Sequence, residues 1–173
     1  MFRPLLAALA LAAAPAFAAL KPGDPAPDFT VDAALAGKPY RFQLAEALKK
    51  GPVVLYFFPK AFTKGCTIEA HQFAEATPQF AALGATVIGI SNDDADTIRR
   101  FSTEACRDKF AVAADPDSRV IKAYDAKLML MPGMADRVSY VIAPGGTVSY
   151  VYSALDPDAH VQNTLKAVRE LKR

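Results

Sequence analysis

The feature that most constrains this chain is Val53-Val54-Leu55-Tyr56-Phe57-Phe58, a run of apolar, β-prone residues with no polar interruption. A strand with one wet face alternates polar and apolar side chains, so an unbroken run predicts a central strand buried on both faces. Something must then pack on each side of the sheet. From Cys66 to about Leu83 the residues Ile68, Phe73, Ala76, Phe80 and Leu83 recur at helical spacing, and Gly84 supplies a stop. Thr86-Val87-Ile88-Gly89-Ile90 reads as a second buried strand, and Ser91-Asn92-Asp93-Asp94 offers N-caps for a helix through about Cys106.

Weaker signals fill in the rest. Phe29, Val31 and Ala33 predict a short strand, Tyr40 and Phe42 another, and Leu44 to Lys50 a helical turn or two. Phe110 to Ala113 predicts a strand closed by Asp115-Pro116-Asp117, and Arg119 to Tyr124 a brief helix. Arg137 to Ile142 and Thr147 to Tyr152 are β-rich runs joined by Ala143-Pro144-Gly145-Gly146, a strong hairpin signal. A last helix is expected from about Asp158 to Leu171. Strands alternating with helices, then a hairpin and a final helix, predict an α/β domain with a mixed central sheet and helices on both faces. A thioredoxin-like sandwich fits this order, although the pattern by itself admits other α/β folds.

The first residues follow a different grammar. Arg3 provides a positive start and Leu5 to Ala14 an apolar run. Pro15 and Ala16-Phe17-Ala18 then place small residues before a cleavage point after Ala18. That is a secretory signal peptide, and the run is shorter than the roughly 20 apolar residues of a membrane span. A retained N-terminal anchor is the alternative. The expected organisation is a signal at 1–18 and one domain at 19–173, periplasmic or secreted. A formal charge of +2, evenly scattered, argues against nucleic-acid or stable membrane binding. With no obvious exposed apolar strand, a monomer is expected.

Export implies an oxidising compartment, which gives the two cysteines, Cys66 and Cys106, weight. A structural disulfide is the ordinary reading of such a pair. A zinc site is poorly supported, because Cys66, Cys106, His71 and His160 show no metal-ligand spacing, and no CxxCH haem signal exists. Cys66 stands at the expected strand-to-helix corner, in Pro59-Lys60-Ala61-Phe62-Thr63-Lys64-Gly65-Cys66-Thr67-Ile68-Glu69. Sites in α/β sheets gather at the carboxyl ends of strands. A helix N-terminus carries partial positive charge and unpaired N–H groups, which stabilise a thiolate. Gly65 permits close backbone approach, Thr63 offers a hydroxyl on the same turn, and Pro59 stiffens the loop.

These residues resemble the peroxiredoxin family, in the branch of peroxiredoxin Q and the bacterioferritin-comigratory proteins. The shared motif is P-x-x-x-T-x-x-C, here Pro59, Thr63 and Cys66. The resemblance extends over Gly23 to Phe29, Val54 to Phe58, Asp115-Pro116-Asp117 and the strand opened by Arg137. It implies a thiol peroxidase that reduces hydrogen peroxide or organic hydroperoxides through a sulfenic acid on Cys66. Thr63, Gly65 and Arg137 would line the peroxide site, with Pro59 shaping it and Glu69 orienting the arginine. No metal, haem or flavin cofactor is implied, and a thioredoxin-like dithiol protein would restore the enzyme.

One departure bears on recycling. Many members of the branch carry a resolving cysteine five residues after the first, where this chain has His71. Another subgroup carries it on the next helix, which implies Cys106 as the resolving residue in an intramolecular disulfide. Cys106 as a small buried core residue is the competing reading. His71 is expected on a helix surface and His160 in solvent. Met129, Met131 and Met134 are expected in the core or in a loop packed on the pocket, with an apolar rim as the functional alternative. A non-catalytic peroxide sensor or disulfide-exchange partner would use the same thiol.

Overall fold

The computed structural model describes residues 20–172, so the expected signal segment at 1–18 lies outside the described residues. The β-prone run forms β3 (Val53–Phe57), every residue of which is buried. It pairs in parallel with β4 (Thr86–Ser91) and antiparallel with β6 (Val138–Ile142), so it lies inside the sheet. Around it the chain places β1 (Thr30–Leu35), β2 (Lys38–Gln43), β5 (Ala111–Ala114) and β7 (Val148–Ser153). Among the described residues these form one mixed sheet in the order β2-β1-β5-β4-β3-β6-β7.

The alternation of side chains along β3 divides the core in two. Val54, Tyr56 and Phe58 face one layer, packed under α2 (Lys64–Ala82), α3 (Ala95–Glu104) and α5 (His160–Glu170) through Phe73, Phe80, Phe101 and Val168. Val53, Leu55 and Phe57 face the other, with Leu44 and Leu48 of α1 (Leu44–Leu48) and Ile121 of α4 (Arg119–Ala123). Helices cover both faces, as the unbroken apolar run demands. The Tyr56 ring lies stacked on Phe73 at 4.4 Å and above Gly89, where a Cβ would come within 2.6 Å of the ring. Gly89 in β4 is therefore a packing requirement of the central strand.

The punctuation behaves as its chemistry predicts. Gly84 follows α2 with φ +69, and the N–H of Ala85 reaches back to the Phe80 carbonyl at 2.9 Å, closing the helix with a left-handed cap. Gly146, φ +79, turns the β6–β7 hairpin. The proline-rich lead-in is tied down at that hairpin, with Gly23 N–H on Val148 O and Ala26 N–H on Gly146 O, each 2.8 Å. α3 stops at Glu104 rather than at Cys106, because Arg107 and Asp108 take left-handed backbone conformations that no helix continues.

Candidate active site

The loop from β3 to α2 is fixed by a residue that the sequence offered only as a helix cap. Asp93 is buried at the end of β4 and accepts from the Ala61 N–H and the Ser91 hydroxyl, each at 2.8 Å. Lys60 Nζ sits 2.5 Å from its other oxygen. Capping of α3 falls instead to Asp94, which accepts from Thr97 N–H at 2.8 Å. At the loop tip Phe62 holds φ +65, a conformation costing a non-glycine residue about 1–2 kcal/mol. Its ring meets Phe101 edge-on at 5.2 Å and carries the Arg100 guanidinium 5.1 Å above it, contacts that hold the strained backbone in place.

α2 begins two residues before Cys66, which places the thiol in the first helical turn. Thr63 is the N-cap residue, but its side chain makes no capping bond; the hydroxyl donates to the Lys60 carbonyl at 3.0 Å. No hydrogen bond joins the Thr63 and Cys66 side chains among the described residues. The first-turn N–H groups are thus left for a thiolate or for an incoming oxygen. Cys66 itself is only 2 % exposed, so the thiol is closed in.

Arg137, one residue ahead of β6, reaches across to it. Its Nη2 lies 3.5 Å from Cys66 Sγ, its Nη1 pairs with Glu69 Oε2, and its Nε donates to the Leu155 carbonyl at 2.8 Å. Gly65 makes room for this arrangement: a Cβ there would come within 3.1 Å of Nη2. The glycine admits a guanidinium, a more specific role than close backbone approach. Arg137, Glu69, Gly65 and Cys66 are therefore brought together, while Pro59 and Thr63 lie in the loop that leads from β3 into α2.

His160 overturns its expectation. It is buried, because α5 begins at His160 and turns the ring inward onto the sheet. Nε2 meets the Ala154 carbonyl at 2.9 Å, Nδ1 meets Ser139 Oγ at 2.8 Å, and Glu69 Oε1 stands 3.7 Å from Nδ1. Burial pushes the ring's pKa down. Burial also pushes the Glu69 carboxyl up to about 8, against the pull of Arg137. Neither His160 nor Ser139 could have been found from spacing, since each comes from a different element and only the sheet joins them. His71 is half-buried on α2.

Cys106 is fully buried in a turn after α3, in the core layer that also holds Cys66. Both cysteines are free thiols. Burial and then the nearby Asp108 carboxylate push the Cys106 thiol well above its ordinary value. The methionine segment departs from its expectation: Met129 and Leu130 are 93 % and 89 % exposed. The turn from Lys127 to Ala135 closes on itself through Leu128 N–H to Met134 O at 2.9 Å, which leaves those side chains outside.

A mixed, helix-covered sheet with a thiol in the first turn of a helix, clamped by an arginine, defines a thiol-dependent redox domain of thioredoxin-like fold. Residues 22–151 match the AhpC/TSA family, and the chain belongs to that family, the peroxiredoxins, which are thiol-dependent peroxidases. It is 33 % identical over 150 residues to the chloroplastic peroxiredoxin Q of Oryza sativa subsp. japonica, covering 86 % of this chain and 67 % of that one. The peroxidoxin BcpB of Mycobacterium tuberculosis superposes with a TM-score of 0.76 at 33 % identity, over 87 % of this chain and 97 % of that one. A PrxQ of Xylella fastidiosa gives a TM-score of 0.79 at 23 % identity, over 90 % and 99 %, a likeness of fold.

Proposed function

We propose that Cys66 is the peroxide-attacking residue and Cys106 the thiol that resolves it within one chain. The observation that carries the reading is the 3.5 Å contact of Arg137 Nη2 with Cys66 Sγ at a helix start. A guanidinium there can pair with the attacking sulfur and can also hold a peroxide oxygen. The thiolate attacks one oxygen of ROOH; an S–O bond forms, the O–O bond breaks, and the departing oxygen takes a proton to leave as ROH. Arg137 and the first-turn N–H groups are the fixed donors for the charge that builds there. The Thr63 oxygen keeps its lone pairs and can accept a hydrogen bond from the hydroperoxide O–H, while the leaving oxygen regains from solvent the proton that the Cys66 thiol gave up.

Sulfur is now a sulfenic acid. Cys106 attacks it, a disulfide forms and water leaves. The two thiols share a core layer, the disulfide needs Cα atoms within about 4.4–6.8 Å, and the scheme has the first turn of α2 unwind to bring Cys66 to Cys106. An external thioredoxin-like dithiol protein then takes up the disulfide and restores both thiols. A hydroperoxide with an organic tail fits the same scheme, and the bacterioferritin comigratory protein of Xanthomonas campestris, 26 % identical over 83 % of this chain, is described with alkyl peroxide reduction activity. The N-terminal grammar supports an exported enzyme, and the mostly polar, exposed edge strand β2 supports a monomer.

One equivalent of hydrogen peroxide added to the reduced protein tests this. Loss of both thiols with a mass lower by two hydrogens supports the scheme. One surviving thiol with one added oxygen would make Cys66 act alone and Cys106 a packing residue. Two intact thiols would sink the peroxide reading.

A further inference from the structure

Behind Arg137 lies a buried group of polar side chains that the peroxide chemistry does not use directly. Glu69 Oε2 is engaged by Arg137, but Oε1 is buried and has no hydrogen-bond partner among the described residues. What faces it is His160 Nδ1, 3.7 Å away. The ring's protonation follows from its contacts. Nε2 lies 2.9 Å from a carbonyl oxygen, so it must carry the hydrogen. Burial favours the neutral ring, which leaves Nδ1 with one lone pair that accepts from the Ser139 hydroxyl. A carboxylate lone pair aimed at an imidazole lone pair in a dry interior is repulsive. A proton on Oε1 removes that repulsion and makes Oε1 a second donor, beside the Ser139 hydroxyl, facing the one lone pair of Nδ1.

We propose that His160 is a positioning residue that keeps a proton on Glu69 Oε1 and so leaves the charge of Arg137 to Cys66. The proposal rests on Cys66 being the reactive thiol. With Glu69 neutral, the guanidinium is bonded to a carbonyl-like oxygen on one side and to the thiolate on the other. With Glu69 ionised, two anions divide one cation. The same stretch of chain aligns both partners, since Ala154 O holds His160 and Leu155 O holds Arg137. The other groups around the ring do not supply the acceptor: Tyr152 of β7 meets it edge-on at 4.8 Å, and Arg137, Asp136 and Asp156 act on it through space. Burial, which raises the Glu69 carboxyl and lowers the His160 imidazole, acts in the same direction.

The test measures iodoacetamide alkylation of Cys66 in the reduced protein across pH, by peptide mass, which needs no peroxidase turnover. Replacing His160 with Leu (His160→Leu) removes the acceptor, lets Glu69 ionise, and is expected to slow alkylation at pH 7 by about three- to tenfold. His160→Asn places an amide oxygen where Nδ1 stands and is expected to restore most of the rate. In a Glu69→Gln background, where no charge can form, the His160→Leu effect is expected to vanish. A His160→Leu protein that melts lower but alkylates with the wild-type pH profile would overturn the proposal and leave His160 as packing. Should that variant fail to fold, the infrared difference between wild type and Glu69→Gln at pH 7 decides: a carboxylic-acid C=O band supports the proton on Glu69, and its absence overturns it. Wild-type protein that alkylates at Cys66 yet ignores peroxide would instead defeat the peroxide reading.

Discussion

Cys66 and Cys106 are equally hidden, at 2 % and 0 % exposure, and share one layer of the core, yet their surroundings prepare them for opposite chemistry. Cys66 opens a helix and touches a guanidinium. Cys106 follows the end of a helix, among apolar side chains and beside an aspartate that penalises its anion. Burial alone would make both inert. What separates them is whether burial comes with a cation and free N–H groups. In the proposed scheme Cys66 attacks beside a cation, whereas burial keeps the Cys106 thiol protonated until it is called on to resolve the first.

The contrast can be broken most sharply at Cys66. Cys66→Ser is expected to abolish the reaction with hydrogen peroxide, and survival of that reaction in stopped-flow consumption would transfer the chemistry to Cys106. Arg137→Met removes the cation while keeping the bulk of the side chain. Loss of such a fixed donor is expected to slow peroxide consumption by about 10²-fold, so a rate within a few-fold of wild type would show the clamp to be dispensable.

A gentler comparison labels both thiols at once. In the folded, reduced protein at pH 7.5, iodoacetamide is expected to modify Cys66 more than about tenfold faster than Cys106, and the two rates should converge in denaturant. Equal rates in the folded protein would mean that the nearby aspartate and apolar wall do not hold Cys106 as a thiol.

A further comparison concerns stability against pH. Glu69 has a folded pKa raised from 4.5 to about 8, so the native state holds a proton that the unfolded chain has released. Its contribution is full below about 4.5 and is lost as pH rises toward 8, at a slope of about 1.4 kcal/mol per pH unit. Glu69→Gln, always neutral, is expected to flatten the fall in denaturant midpoint between pH 5 and 8. An unchanged slope would place the titrating group elsewhere.

Much of this molecule is legible along the chain. Local physics decides the central strand, because six apolar residues without alternation have only one way to avoid water, and it decides the turns, because Gly84 and Gly146 take conformations that other residues resist. It also singles out Cys66, since the strand, loop and helix that position the thiol are contiguous. Resemblance to a family adds Arg137 and Glu69, which no local rule would have joined.

Other features were decided only by tertiary packing. His160 looked like a solvated helix residue because its partners, Glu69, Ser139 and Ala154, come from three other stretches of chain and meet only when α5 docks on the sheet. Asp93 read as one cap among several until the loop after β3 folded over it. Met129 and Met131 read as core or as a loop packed on the pocket because apolar composition favours burial, but the turn that carries them closes on itself and leaves them exposed. Patterns of hydrophobicity carry the short-range choice between strand, helix and turn. The contacts of Arg137 with Glu69 and Cys66 join residues 68 and 71 positions apart, which meet only once the backbone has closed.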